Sequence, residues 1–299
     1  MKTQLLLAVG IMVAFMSATA QKPDTAWLMV HYKFSWVQDT ANRAHPYTEN
    51  MALFVGKRAS AYISYDGLVA GRQFKKAYAE AVASSPDGQP NIVRHGVGTS
   101  IRYYQYPTEG KMFTNQNMLT GEYAVEDAIP AIDWKITGDT ATFGGLHCQE
   151  ATGHFMGRDY IAWFCPDLPV HTGPWKLNGL PGVIVDAHDT KDEVVFQFDG
   201  VEKTFPSPQD QAAANTDEKD VPQVLWDIND DPNMIKPPAR AIRTSRKEFD
   251  KMREAVRKNP DAVLQAINSQ PGRGSADKPM IRVNKGGHAP TNPMELPEK

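Results

Sequence analysis

Only two cysteines occur in this 299-residue chain, and neither sign of charge dominates it. Cys148 and Cys165 can form at most one bridge within the chain, which excludes a small scaffold held together by many disulfides. The net charge of −3 excludes the strongly basic surface typical of nucleic-acid binding. We therefore expect no nucleic-acid partner.

Hydrophobic runs of membrane-spanning length are also missing. The apolar stretch at residues 5–15 is too short, because a transmembrane helix needs about 20 apolar residues. It follows Lys2 and precedes Ala18, Thr19 and Ala20, which is the layout of a secretory signal peptide. We expect cleavage after Ala20, with an uncleaved anchor as the alternative. Loss of Lys2 changes the net charge from −3 to −4, and the mature protein is expected to be periplasmic or secreted, without a membrane span.

Catalytic and metal-binding motifs are absent from the sequence. It contains no G-x-S-x-G, G-x-x-x-x-G-K or H-E-x-x-H motif, and no G-x-G-x-x-G after a strand. His147, Cys148 and His154 do not share a strand face, and neither His31 nor His188 has a partner at a recognised ligand spacing. No catalytic residue, metal site or cofactor is predicted.

An acidic cluster surrounds His188 between two predicted strands. Such carboxylates can perform acid–base catalysis, but their place at a turn favours a solvated hairpin tip. The cluster consists of Asp186, Asp189, Asp192 and Glu193.

Apolar and polar residues alternate along much of the chain, which predicts strands with one buried face. The predicted strands cover residues 26–37, 51–55, 59–65, 101–106, 111–119, 134–137, 141–155, 160–165, 183–187 and 193–198. Between them, an apolar stripe at helical spacing predicts a helix over 66–83, capped by Asp66. The short, closely spaced strands indicate an α+β fold: a mostly antiparallel, twisted and curved, half-barrel-like meander with one packed helix and C-terminal helices.

The domain organisation follows from changes in composition along the chain. After the signal peptide at 1–20, we expect a single α+β domain over 21–269. Within it, the sheet core spans about 25–205, a proline-rich and acidic loop covers 206–238, and terminal helices lie within 245–268. Ser245 and Glu248 form a capping box, and a second short helix passes through Leu264 and Ile267. The tail at 270–299 has too few large apolar residues to order itself and is predicted to be disordered.

A run rich in glycine and proline separates two of the predicted strands. Pro181 presets φ for the second position of a type II turn, and Gly182 supplies the positive φ of the third. We interpret the run as a backbone corner, with a ligand-contacting lip around Trp175 as the alternative. The turn residues are Gly173, Pro174, Gly179, Leu180, Pro181 and Gly182.

This run closely resembles the signature block of the GLPGLI family of exported Bacteroidetes proteins, with Val183 and Ile184 where the family name has leucine and isoleucine. The resemblance extends over residues 145–184. The other residues that carry it are Cys148, Ala151, Gly157, Arg158, Trp163, Phe164, Leu168, Pro169, Gly173 and Pro174. It implies an exported cell-envelope protein, and the family has no established activity to carry over.

The two cysteines flank a predicted hairpin with its turn near Met156 and Gly157. A two-residue loop places Cys148 opposite Cys165, at a separation that a disulfide accepts. A three-residue loop places the thiols on opposite faces and forbids the bond. Because an exported protein meets oxidising conditions, we favour a structural disulfide.

The leading hypothesis is a non-catalytic binding or scaffold protein that contacts an envelope component through the concave side of its sheet. Trp36, Trp163 and Trp175 are the candidate binding residues. One alternative is a periplasmic carrier of a hydrophobic ligand or lipoprotein, with these tryptophans lining an apolar cavity. A hydrolase or metal-binding protein is the second alternative, with His188 or His147 within hydrogen-bond reach of a carboxylate.

Overall fold

The computed structural model describes residues 23–85, 96–118, 121–204, 231, 233–260 and 290–298. The predicted signal peptide, most of the predicted loop at 206–238 and the second short helix lie outside this part of the chain. The described strands are β1 (Asp24–Thr25), β2 (Leu28–Trp36), β3 (Tyr47–Val55), β4 (Ser60–Ser64), β5 (Arg102–Tyr106), β6 (Lys111–Met118), β7 (Gly121–Ala128), β8 (Trp134–Phe143), β9 (Leu146–Phe155), β10 (Arg158–Cys165), β11 (Val183–Asp189), β12 (Val194–Lys203), β13 (Met234–Ile235) and β14 (Ile242–Ser245). The helices are α1 (Tyr65–Ser84) and α2 (Arg246–Lys258).

Twelve of these strands form one open sheet in the order β14-β7-β6-β5-β4-β3-β2-β12-β11-β10-β9-β8. All neighbours are antiparallel except β14 and β7, which are parallel. Strands β2 to β7 form one meander and β8 to β12 another, and β2 pairs with β12 to join them. The predicted α+β class with a mostly antiparallel sheet is confirmed.

A short connection shows how strongly the sheet curves. Strands β7 and β8 are ten interstrand spacings apart, roughly 48 Å in a flat sheet. Only residues 129–133 join them, and a chain of that length reaches at most about 21 Å. The sheet must therefore curl until these two strands approach each other, which creates a concave inner face and a convex outer face.

Both faces carry buried side chains. The larger core lies on the inner face and includes Tyr32, Leu53 and Phe196. On the outer face, β2 to β7 carry a second core around Phe54 and Phe113, against which Tyr65 and Leu68 of α1 pack. Two-sided burial explains why β3 and β4 contain long runs of buried residues instead of a clean alternation.

Several element boundaries differ from the sequence prediction. Ser64 caps α1 by accepting a hydrogen bond from the Gly67 amide at 2.8 Å, whereas Asp66 lies in the first turn. The segment predicted as one strand at 141–155 turns back at Gly144 and Gly145, both with positive φ. These glycines form the tight turn between β8 and β9, which a single continuous strand cannot contain.

Two segments that follow the sheet in the chain, α2 and residues 290–298, make tertiary contacts. Phe249 of α2 packs against Tyr123 and Val125 of β7, and Ser245 caps this helix as predicted. Residues 290–298 lie across the turn ends of β2, β10 and β11. For this part of the predicted tail the structure differs from the expectation of disorder, because contacts with the sheet order the segment.

Candidate functional site

The segment at 166–182, here called the inner segment, fills part of the concave side of the sheet. Trp175 is 2% exposed and lies between Phe155 and Phe196, with ring centroids 5.6 and 6.3 Å from its own. Leu177 and Leu180 are buried in the same core. Trp175 is therefore a core residue of the inner face, surrounded by this chain's own aromatic rings.

One buried glutamine fixes the path of the inner segment. The Gln105 side-chain amide on β5 donates to the carbonyls of Trp175 and Leu177 at 3.1 and 3.2 Å, and Thr172 donates to its oxygen at 2.9 Å. Buried backbone carbonyls in an irregular segment need such partners. Gln105 thus replaces the hydrogen bonds that a regular strand would have supplied.

The predicted type II turn at Pro181 and Gly182 is wrong in its geometry. The Gly182 amide donates to the Leu180 carbonyl at 2.8 Å, which is a three-residue γ-turn centred on proline. Gly182 does not have positive φ. Glycine is needed there because a Cβ would lie 2.2 Å from the Cys165 carbonyl oxygen. Close backbone approach, which the sequence does not reveal, explains this glycine.

The three candidate tryptophans do not meet in one cavity. Trp163 lies on the outer face of β10, where its ring is 5.8 Å from Phe143. Trp36 lies at the end of β2 and donates its indole N–H to the Asn292 carbonyl at 2.9 Å. Trp175 belongs to the inner core. Each ring therefore packs against a different part of this chain.

The predicted disulfide between Cys148 and Cys165 is confirmed. Phe155 pairs with Arg158, so the hairpin loop has two residues, Met156 and Gly157, both with positive φ. This loop length gives the register that places the cysteines opposite each other. The bond lies near the tip of the β8–β9 hairpin, where Phe143 packs against Trp163 and Phe198.

The acidic cluster at the β11–β12 turn is not a solvated tip throughout. Asp189 and Glu193 are buried, and both accept hydrogen bonds from the equally buried Arg158. Burial acts to raise the pKa of Glu193, but hydrogen bonds from Arg158, Asn292 and Arg43 hold that pKa below its usual value. The sequence analysis missed Arg158 as the partner because it lies on another strand.

Acid–base and metal chemistry have little geometric support in this cluster. The nearest carboxylate oxygen of Asp192 is 3.9 Å from His188 Nε2, beyond hydrogen-bond distance. Among the described residues, no group of three or more histidine, cysteine or acidic side chains could hold a metal ion. Within the same part of the chain, no helix has the length and apolar character to cross a bilayer.

A groove of about 620 Å³ lies on the outer face, between the first turns of α1 and the strands β2, β3 and β12. Its volume is in the range of pockets that hold small ligands. The lining combines aromatic, amide and charged side chains. It includes His31, Lys33, Asn50, Tyr65, Asp66, Val69, Gln73 and Asp199.

Contacts within the groove hold these side chains in place. Asp66 accepts hydrogen bonds from the Asn50 amide N–H and side chain, each at 2.9 Å. Lys33 Nζ lies 2.7 Å from Asp199 Oδ1. The His31 and Tyr65 rings meet edge to face at 4.8 Å. The groove thus offers donors, acceptors and aromatic edges, which suit a polar ligand.

The groove was not predicted from the sequence, because four separate segments build it. Lys33 pairs across the sheet with Asn50, and α1 follows β4 to cover them. The sequence gives one signal of the groove. His31 and Lys33 alternate with apolar residues along β2, which places both of them on the face opposite the inner core.

Comparisons with known proteins find a short family match. A family model described as "Protein of unknown function (Porph_ging)" matches residues 157–186, from the β9–β10 turn through the inner segment into β11. No curated protein matches the chain. The matched range overlaps the block that resembles the GLPGLI family, and membership of that family stays a prediction.

Two solved structures are similar to the chain at low identity. They are "Structure of PNGF-II in P21 space group" and "Structure of PNGF-II in C2 space group", with TM-scores of 0.47 and 0.46 and 11% identity each. Each match covers 76% of this chain and 33% or 32% of the other. The chain thus spans about a third of the structures it matches.

Proposed function

We propose that this chain is an exported cell-envelope protein of the GLPGLI type, which binds a polar envelope component without catalysing a reaction. The predicted signal peptide and the block at 145–184 support export and family type. The groove beside α1 is the observation that carries the binding role, because it is preorganised and lined by donors and acceptors.

The occupant is assigned to the outer groove instead of the concave side. Trp175, Leu177 and Leu180 already occupy the inner core, which leaves the tryptophan-lined carrier cavity without support. In the groove, Lys33 and Asp199 present opposite charges side by side, and Asn50 donates hydrogen bonds to the Asp66 carboxylate. A ligand with hydroxyl or amide groups matches this arrangement better than a lipid chain.

Native mass spectrometry of protein purified from its own envelope tests the proposal. Val69 lines the groove and Val82 lies further along the same helix, and both are 36% exposed. We expect wild type and Val82→Arg to carry the same bound mass and Val69→Arg to lose it. Mature protein should begin at Gln21. If Val69→Arg retains the bound mass, the groove is not the binding site. If the bound molecule is a lipid, the result favours the alternative function as a carrier of a hydrophobic ligand.

A further inference from the structure

We infer that the turn end of the sheet is a peptide-binding site, which takes an extended, anionic peptide containing Asn-Pro. Its resident ligand is the chain's own segment at 290–298, here called the C-terminal segment. This segment has the sequence Pro-Thr-Asn-Pro-Met-Glu-Leu-Pro-Glu and carries two negative charges. The site is distinct from the groove of the proposed function and does not depend on it.

The centre of the site is Arg158, whose side chain is 2% exposed. Its guanidinium donates to the Asp189 and Glu193 carboxylates on one side. On the other side, its Nε donates to the Met294 carbonyl at 3.0 Å, and its Nη2 donates to the Pro293 carbonyl at 2.7 Å. Arg158 therefore binds the main chain of the segment, which is the way a protein recognises an extended peptide.

Asn292 supplies the side-chain specificity. Its Oδ1 accepts from Arg158 Nη2 at 2.7 Å, and its Nδ2 donates to the Val37 carbonyl at 2.7 Å and to Glu193 Oε2 at 3.1 Å. Both ends of the amide are satisfied in a buried place. A residue without this donor and acceptor pair leaves buried groups of the site unpaired, which costs affinity.

Charge complementarity extends along the segment. Glu295 lies 2.5 Å from Lys176 Nζ, and Glu298 accepts from His154 at 3.0 Å and from the Gly157 amide at 3.2 Å. Gly157 also permits close approach, because a Cβ there would lie 2.7 Å from the Leu296 Cβ. Thus the turn that sets the disulfide register also makes room for the peptide.

The site is organised by residues that lie outside the segment. Asp189 Oδ1 accepts from the Glu193 and Val194 amides at 2.7 and 3.2 Å, which fixes the β11–β12 turn. Asp189 and Glu193 in turn hold Arg158. None of these contacts involves the C-terminal segment. We therefore expect the recess to keep its shape when the segment leaves and to accept a peptide of the same pattern from another molecule.

The test uses full-length protein and a fluorescein-labelled synthetic peptide of residues 290–298. In the wild type, the tethered segment competes at an effective concentration on the order of millimolar, so binding of added peptide is suppressed. Asn292→Ala weakens the tethered competitor. We expect the Asn292→Ala protein to bind the wild-type peptide at least about tenfold more tightly than wild-type protein does. A peptide that carries Asn292→Ala is the matched control. It should bind to the Asn292→Ala protein at least about tenfold more weakly than the wild-type peptide does.

Hydrogen exchange of the C-terminal segment reports its release, and thermal melting reports the fold of the variant. If Asn292→Ala does not fold, Glu295→Lys with Glu298→Lys replaces it, because these side chains are 47% and 65% exposed. The inference is overturned if a variant folds and releases its segment but binds neither the wild-type peptide nor the Asn292→Ala peptide. It is also overturned if such a variant binds both peptides equally well. A C-terminal segment that stays protected from hydrogen exchange both in Asn292→Ala and in the double lysine variant likewise overturns the inference.

Discussion

At the scale of single residues, two glycines of this protein lie where another segment approaches the backbone closely. Gly182 faces the Cys165 carbonyl and Gly157 faces Leu296, each at a distance that no Cβ tolerates. Gly157 also has positive φ, whereas Gly182 does not. Gly182 lets the inner segment lie close to the end of β10, and Gly157 lets the C-terminal segment lie close to the β9–β10 turn.

Gly182→Ala is expected to destabilise the protein by about 1–3 kcal/mol, because the added methyl group meets backbone atoms that cannot rotate away. Urea unfolding of wild type and variant measures the change. Gly138→Ala is the matched control, because nothing lies within 4 Å of its Cβ position and its φ is not positive. It should change the free energy of unfolding by about 0.5 kcal/mol or less. Equal stability of both variants would contradict the close approach.

At the scale of elements, the disulfide ties the β8–β9 hairpin to β10 near the tip of the hairpin. Beyond Cys165, β10 ends and the chain turns away into the inner segment, so the last residues of the hairpin have no strand beside them. The tip instead packs Phe143 on Trp163 and Phe198. The disulfide links this arm to the sheet where the ladder stops.

Replacing both cysteines by alanine is expected to lower the free energy of unfolding by about 2–4 kcal/mol, because the unfolded chain regains the freedom of a loop with a sequence separation of 17. Denaturant unfolding of the double variant, beside oxidised wild type, measures the loss. Thr142→Ala, an exposed change in the same hairpin, serves as the control. A double variant as stable as wild type would show that strand pairing alone holds the arm.

The strands and the disulfide could be predicted because their signals are local. Alternation predicted β2 within one residue at its C-terminal end. Of the two loop lengths left open by the sequence, the structure has the two-residue turn, which places Cys148 opposite Cys165. Strand β7 was missed, since Gly121–Ala128 carries three acidic residues and only Tyr123, Ala124 and Val125 are buried. Its burial comes from neighbours distant in sequence, including Phe249.

At the scale of the whole molecule, one strongly curved sheet is covered by parts of its own chain. The inner segment packs on the concave side, α2 covers β7, and the C-terminal segment lies across the turn ends. His154 links that segment to the sheet by bonding both Asp159 and Glu298. The pKa of His154 is raised by the hydrogen bond to Asp159 and then by that to Glu298.

Docking of the C-terminal segment is therefore expected to depend on pH. Because the folded-state pKa of His154 is raised, its contribution is fully present below the ordinary pKa of 6.5 and is lost as pH rises through the raised value. Amide chemical shifts of Glu298, followed from about pH 5 to 9, should report this titration. The change should vanish in His154→Gln. A His154 that titrates at or below its ordinary value would contradict the contact.

The sequence by itself determined the strand alternation and the helix cap at Ser245, because each rests on residues that are neighbours along one element. It favoured the bond between Cys148 and Cys165, and the two-residue loop seen in the structure decided it. Only the tertiary structure decided the curvature of the sheet, the outer groove and the partners of Arg158. Arg158 and Asn292 are 134 positions apart, and Gln105 and Trp175 are 70 apart. Contacts at such separations leave no periodic pattern in the sequence, because they arise only when the curled sheet brings distant segments together.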